Sequence, residues 1–379
     1  MGVLMINNKR LIEEFINLTK FNSESFNELD IQRYVINELK KLGLDVKEDN
    51  SVDNYKKYSN SKNITNNVYA YLKGNKKGKG IILAAHLDTV SPGNNKKAII
   101  KGDRITSDGT TVLGADDLSS VASILEVLRT INENNLDHND IEVIFFVAEE
   151  PFAKGSRHFD YSLLKSNEAY VFDLEGNINS AAIAAPSIIS FNIKINGKAA
   201  HAGFNPELGI NSLVILNNAL NEIKLGRIND YTTVNIGLIN GGSGVNIVPE
   251  LIEIKGEIRS LDNNIAINEL NKIKEIFNEK ANLLGGSIDF NYEIEFSAYN
   301  VDPNDEIIKR YADAVKDIND KEINLIKTFG GSDNNNLSMH NIKGIVIVNG
   351  MRNVHSKNEY ILIEDLIDTS KLILNLVRN

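Results

Sequence analysis

The sequence predicts an α/β fold: a mixed, mostly parallel sheet with helices on both faces, interrupted by a four-stranded α+β layer. Three observations carry that reading. Residues 81–90 run Ile-Ile-Leu-Ala-Ala-His-Leu-Asp-Thr-Val and residues 141–148 run Ile-Glu-Val-Ile-Phe-Phe-Val-Ala. Such near-continuous apolar runs belong to strands buried on both faces. Segments with helical spacing alternate with these strands, the pattern of repeated strand, loop and helix. Near Ala185-Pro186 the pattern shifts to alternating apolar and polar residues, which marks a sheet of another kind.

In chain order, residues 10–19 and 26–42 carry apolar side chains at helical spacing (Leu11, Phe15, Leu18; then Leu29, Tyr34, Leu39, Leu42), and Gly43 stands where a C-terminal cap belongs. Residues 44–48 form a short strand, and the Asn-, Lys- and Ser-rich stretch 50–67 reads as a surface loop. Strands at 68–72 and 81–85 follow, then the polar, glycine-bearing loop 107–117 and a helix over 118–132. Strands at 141–148 and 169–172 end in Glu149-Glu150 and Asp173.

Beyond the change at 185–186 the expected order is strand 188–195, helix 209–225, strands 232–238, 245–247 and 251–259, helix 265–283 and strand 287–295. That order is ferredoxin-like in outline. A helix at 305–316, a strand at 323–327, a loop at 328–336, a strand at 345–348 and a helix from Ile363 complete the first domain. The expected division is 1–186 and 298–379 for the larger domain, with 187–297 inserted.

Composition narrows the function. The net charge of −10 offers no basic stripe to neutralise phosphates, which argues against nucleic acid. No apolar run approaches the ~20 residues of a membrane span. Residues 1–9 lack the charged and apolar regions of a signal peptide, so the expected location is cytoplasmic. With no cysteine, any metal must be held by oxygen and imidazole.

A two-metal hydrolytic site needs a bridging carboxylate, terminal imidazole or carboxylate ligands, and a further carboxylate to take a proton from the attacking water. Each requirement has a candidate at an element end: His86, Asp116 or Asp117, Glu149 or Glu150, Asp173 and His355. A lone Glu-Glu or Asp-Asp is usually a solvated pair. Five such signals at element ends are hard to explain as surface. Oxygen and nitrogen donors suit zinc, and cobalt or manganese could substitute. Residues two apart on a strand share a side, so His86 and Asp88 leave the sheet together.

These stretches resemble the di-zinc metallopeptidase superfamily of aminopeptidases, carboxypeptidases and deacylases, and within it the peptidase T (tripeptide aminopeptidase) branch. The matching motifs are Ala85-His86-Leu87-Asp88-Thr89-Val90, Asp108 to Asp117, Ala148-Glu149-Glu150, Phe172-Asp173 with Glu175-Gly176, and Gly197 to Gly203. Others are Val245-Asn246-Ile247-Val248-Pro249-Glu250, Gly256-Glu257-Ile258-Arg259-Ser260, Gly330-Gly331-Ser332-Asp333 and Val354-His355-Ser356 with Glu359. Order and spacing agree along nearly the whole chain.

The resemblance implies that His86, Asp116 and Asp173 hold one zinc and that Asp116, Glu150 and His355 hold the other, with Asp116 bridging. It makes Glu149 the general base and Asp88 the orienting partner of His86. It implies a cis Asp116–Asp117 peptide, and it makes the inserted layer a lid and dimerisation domain. His201 then helps hold the substrate carbonyl or oxyanion, often from the partner subunit. The plainer reading of His201 is a loop histidine bonded to backbone. Asn246 and Arg259 match substrate-contacting lid positions, and His138, His158 and His340 fit no ligand slot.

The chain departs from the pattern at Leu118, Ser119 and Ser120, where many relatives have Lys and then Gly, and at Pro151-Phe152, where Ile-Gly is common. The implied function is hydrolysis of short peptides by a tripeptide aminopeptidase with two zinc ions per subunit, acting as a homodimer through the lid. A carboxypeptidase or N-acyl-amino-acid deacylase would use the same metals. The Thr-Thr-Val-Leu-Gly-Ala-Asp-Asp loop favours the aminopeptidase branch. A non-catalytic peptide-binding relative would have lost a ligand or the base, and all are retained.

Overall fold

The computed structural model describes residues 6–319 and 322–379; the first five of residues 1–9, where no signal peptide was read, lie outside the described residues. The chain divides into two compact units. The larger comprises Met1–Ile183, Asn300–Lys327 and Ser332–Asn379, and the smaller comprises Ala184–Tyr299 with Thr328–Gly331.

The larger unit is built on a mixed sheet. At its centre four parallel strands lie in the order Ile141–Phe146, Ile81–His86, Glu168–Leu174, Lys343–Val348. Val68–Leu72 and Asp45–Glu48 add antiparallel strands at one side, and Ser180–Ala185 adds one at the other. Every residue of Ile81–His86 and Ile141–Phe146 is buried, as parallel strands covered on both faces require. Because the four central strands share a direction, His86, the turn after Phe146, Asp173 and the turn after Val348 gather at one edge. In such sheets that edge is where sites form.

Helix Ala115–Asn134 carries the Asp pair at its start and is buried along most of its length. Helix Leu29–Lys41 starts later than its periodicity suggests, because Phe26 is left-handed (φ 68°) and its N–H is bound by the Glu28 side chain. Gly43 follows this helix at φ 81°, the left-handed cap expected of it.

Three features of the larger unit differ from the sequence reading. Ala98–Lys101 and Arg104–Ser107 form a hairpin that joins Tyr360–Leu362 and Met351–Arg352 in a separate four-stranded sheet. The stretch read as a loop at 328–336 contains the start of helix Asp333–Met339, because Ser332 caps it and Asn335 completes a capping box. Within the polar 50–67 stretch lie the short helix Val52–Tyr55 and a fully buried Asn67.

The smaller unit is an antiparallel sheet in the order Gly226–Asn229, Thr232–Gly241, Leu251–Ser260, Ser187–Asn196, Ser287–Phe296. The last four strands have the ferredoxin-like order, and the hairpin strand Gly226–Asn229 adds a fifth. Ile189, Phe191, Ile193 and Ile195 point to one face and pack against Ala266, Leu270, Ile273, Phe277 and Ala281 of helix Asn263–Leu283. Those spacings of two and of three to four are what place each row on one face. The expected strand at 245–247 does not form. Gly242 is left-handed (φ 78°), Ile247 N–H turns back to Gly244 O, and only an isolated bridge joins Ile247 to His201. The helix expected over 209–225 is shorter, Ser212–Leu220, because Asn211 caps it through Leu213 N–H and Val214 N–H.

Candidate active site

At the carboxyl edge of the parallel strands the predicted acids and histidines of the larger unit converge. The His86 ring, 1% exposed, places Nε2 3.1 Å from Asp116 Oδ1. The other Asp116 oxygen lies 3.1 Å from His355 Nε2, and the same His355 nitrogen is 3.1 Å from Glu150 Oε2. Asp116 therefore stands between two imidazoles, one oxygen toward each. Donor atoms of His86, Glu149 and Asp173 come within 4.8 Å of one another, as do those of His86, Asp116 and Glu150. Glu149 thus shares a candidate donor set with His86 and Asp173.

Each of these side chains is aimed by a backbone turn with its own support. The Asp116–Asp117 peptide is cis, and both residues have non-helical dihedrals inside the helix start. Glu359, almost fully buried, accepts N–H groups from Leu113 (2.6 Å), Gly114 (2.8 Å) and Asp116 (3.0 Å). Asp117 accepts the His86 N–H at 3.2 Å and the Asn349 amide at 2.8 Å, and Asn349 also donates to Ser120. Ser120, one of the positions that depart from the family pattern, donates in turn to Phe172 O beside Asp173.

Asp88 does more than face a histidine. His86 Nδ1 is 3.0 Å from the Asp88 carbonyl oxygen and 3.4 Å from its carboxylate. The carboxylate accepts the N–H groups of Glu149 (2.9 Å) and Glu150 (3.1 Å) and the Ser25 hydroxyl (2.7 Å). The two preceding amides are held in the same way. Val147 N–H donates to Asn67 Oδ1 at 3.1 Å, and Ala148 N–H donates to Glu28 Oε1 at 2.9 Å. Gly155 closes the cradle, since a Cβ there would stand 1.9 Å from Val147 O and 2.7 Å from Asn67 Oδ1.

The electrostatics call for cations. Burial first, and then the neighbouring Asp173, pushes the Glu149 carboxyl well up. Burial followed by Asp116 does the same to Asp173, and burial also raises Glu150. At Asp116 burial is outweighed by hydrogen bonds with His355 and His86, which hold its carboxyl below the usual range. Hydrogen bonds to Asp116 and Glu150 push His355 up to about 10 when a proton is the only cation on offer. Glu150 Oε1 is buried and has no hydrogen-bond partner among the described residues. Four crowded carboxylates, two imidazoles and an orphaned carboxylate oxygen fit divalent cations with nitrogen and oxygen preference.

The remaining predicted residues lie in the smaller unit. His201 is exposed, and its Nδ1 accepts the N–H groups of Gly203 (3.1 Å) and Phe204 (3.2 Å), which leaves the ring proton on Nε2. Asn246 O accepts the Ala202 N–H at 2.9 Å, tying its loop to that of His201. Arg259 is held by Glu257 at 2.8 and 3.0 Å and donates to Phe329 O at 2.8 Å, so only part of its fork is free. His138 bonds a backbone carbonyl, His158 lies parallel to Tyr55, and His340 stacks on Tyr161 at 3.7 Å.

Ser25, Glu28, Asn67 and Asn349 carried no signal in the sequence. They are ordinary polar residues in loops or at a helix start, and their function depends on contacts distant along the chain. Glu359 had one signal, its place four residues after His355 in a recognised motif.

Fold and donor set together define a metal-dependent hydrolase. A model of the Peptidase dimerisation domain matches residues 183–283, and one of Peptidase family M28 matches residues 67–200. The chain is similar to aminopeptidase PepT from Bacillus cereus, 33% identical over 99% of both chains with a TM-score of 0.93. It is also similar to a tripeptidase from Staphylococcus aureus, 30% identical over 99% of this chain and 98% of that one, with a TM-score of 0.94. Peptidase T of Clostridium perfringens is 28% identical over 287 residues, 72% of this chain and 68% of the relative. The chain belongs to the peptidase T family of metal-dependent peptidases.

Proposed function

We propose that this chain is an aminopeptidase for tripeptides with a pair of zinc ions at its centre. His86, Asp116 and Asp173 would hold one ion, and Asp116, Glu150 and His355 the other. The observation that carries the reading is Asp116, whose two carboxylate oxygens each face a different imidazole at 3.1 Å. When bound, the ions supply Lewis acidity, lowering the pKa of an attacking water toward ~7 and polarising the scissile carbonyl.

The chain's own groups do the rest. Glu149, aimed by the hydrogen bond its N–H donates to Asp88, takes the proton of the attacking water and passes it to the leaving amine. His201 presents a protonated Nε2, the donor an oxyanion needs, and acts from the partner copy of a homodimer. The match of residues 183–283 to a dimerisation domain supports that arrangement. The free part of the Arg259 fork would meet the carboxylate end of a short peptide.

Glu149→Ala should keep both metals and lose turnover by about 10³-fold, since only proton transfer is removed. Metal analysis and kinetics on one preparation decide it. Loss of an ion instead would make Glu149 a ligand, the role its donor set with His86 and Asp173 also allows. A free tripeptide should be cleaved and its N-acetylated form spared. Equal cleavage of the two would turn the reading to a carboxypeptidase or deacylase.

A further inference from the structure

We propose that Glu28 is a positioning residue for the general base, acting on Glu149 through the amide of Ala148. Glu28 is fully buried at the start of helix Leu29–Lys41, yet its side chain does not cap that helix. Its Oε1 instead accepts two N–H groups, from Phe26 at 2.8 Å and from Ala148 at 2.9 Å. Both donors are non-glycine residues in the left-handed region, Phe26 at φ 68° and Ala148 at φ 49°. Such conformations are unfavourable for residues with a Cβ and persist only where surrounding contacts fix them. One buried carboxyl oxygen thus holds two unfavourable backbone conformations, and the second lies immediately before Glu149.

The segment that brings Glu28 is itself anchored to the site. Ser23 O accepts the Thr89 N–H at 2.9 Å, and Glu24 forms a bridge to Thr89. Ser25 donates to the same Asp88 carboxylate that accepts the amides of Glu149 and Glu150. Residues 23–28 therefore reach the catalytic turn by two routes: Ser25 through Asp88, and Glu28 directly at Ala148. A carboxyl that served only helix Leu29–Lys41 would have no reason to bond Ala148, 120 positions away. The inference rests on Glu149 being the base.

The test compares Glu28→Ala, Glu28→Asp and Glu28→Gln as holoenzymes, with kcat expressed per folded, metal-loaded site. Asp is too short to reach Ala148 N–H, whereas the Gln carbonyl can accept both amides. Ala and Asp variants should lose about 10- to 100-fold in kcat with little change in KM and with both metals retained, the scale typical of lost supporting bonds. Glu28→Gln should return to within about 3-fold of the parent.

A merely structural role would lower Tm and the folded fraction but leave kcat per site unchanged, and that result in the Ala and Asp variants would overturn the proposal. Loss of metal in step with kcat would also overturn it, by moving the effect to Glu150. If the Ala variant does not fold, the contrast between Asp and Gln decides alone. Wild-type turnover in Glu149→Ala would instead fail the underlying reading, whatever the Glu28 variants do.

Discussion

The larger unit buries His86, Asp116 and Glu149, half-buries Glu150 and Asp173 and leaves His355 exposed, and it binds the amides of the turns at this site with buried side chains such as Asp88, Glu28, Asn67 and Glu359. In the smaller unit His201 is exposed, and nearby Phe204 and Val245 are 80% and 106% exposed. One region spends buried polar groups on fixing a few donor atoms; the other carries His201 and Asn246 on open loops, with Arg259 half-buried on strand Leu251–Ser260, over an ordinary apolar core. Metal ligands must be placed to within tenths of an ångström and kept from collapsing onto one another, which takes a surrounding shell. A group that meets substrate needs access first. If that contrast is right, damage to the two regions should separate into metal loss and loss of turnover alone.

The largest effect belongs to Asp116. Asp116→Ala removes the carboxylate whose two oxygens lie 3.1 Å from His86 and from His355, so both ions should be lost on buffer exchange, with activity. Asp173→Ala and His355→Ala each remove a proposed terminal ligand and should retain one ion. Atomic spectroscopy on the three variants separates the cases. Two ions retained by Asp116→Ala would rule out the bridge.

The contrast also explains what the sequence disclosed. Strand ends were legible because a fully buried parallel strand has an unmistakable apolar run, and an acid or histidine closing one is conspicuous. His86, Glu149-Glu150 and Asp173 were found in that way. Glu28 and Asn67 were not, since a buried Asn looks like any loop residue until its partners are known. Asn67 bonds Asp49, Ser51, Gly155 and Val147, which only the fold brings together.

The hairpin of Ala98–Lys101 and Arg104–Ser107 did have a signal, Gly102-Asp103 between two short runs. The 245–247 strand failed for the opposite reason. Its β-branched residues have the right propensity, but Gly242 and Gly244 beside them favour a turn, and no ladder forms.

A middle effect is expected at His201. His201→Ala should keep both metals and lose about 10²- to 10³-fold in kcat, the scale of one oxyanion donor. Mixed with Glu149→Ala, it should regain activity if His201 acts across a dimer. Random re-pairing of equal amounts makes about half the dimers mixed, each with one intact site of two, so about a quarter of wild-type activity returns. Subunit exchange is checked with two different tags. Exchange without recovery would place His201 outside the partner's site.

The smallest effect should fall in the smaller unit and stay there. Asp262 caps helix Asn263–Leu283, accepting Asn264 N–H at 2.8 Å and Ile265 N–H at 3.0 Å. Nothing else in that first turn is acidic, so its exposed amides depend on this one carboxylate. Asp262→Ala should cost about 1 kcal/mol, the usual loss for a carboxylate cap. Thermal unfolding should show a drop in Tm of about 2–4 °C in the transition that contains this helix. Metal content should remain that of the parent, because every proposed ligand lies in the larger unit. A Tm unchanged within error would mean that the helix end is satisfied by water. Loss of an ion in this variant would break the contrast itself, since a cap in one unit would then be governing the metal affinity of the other.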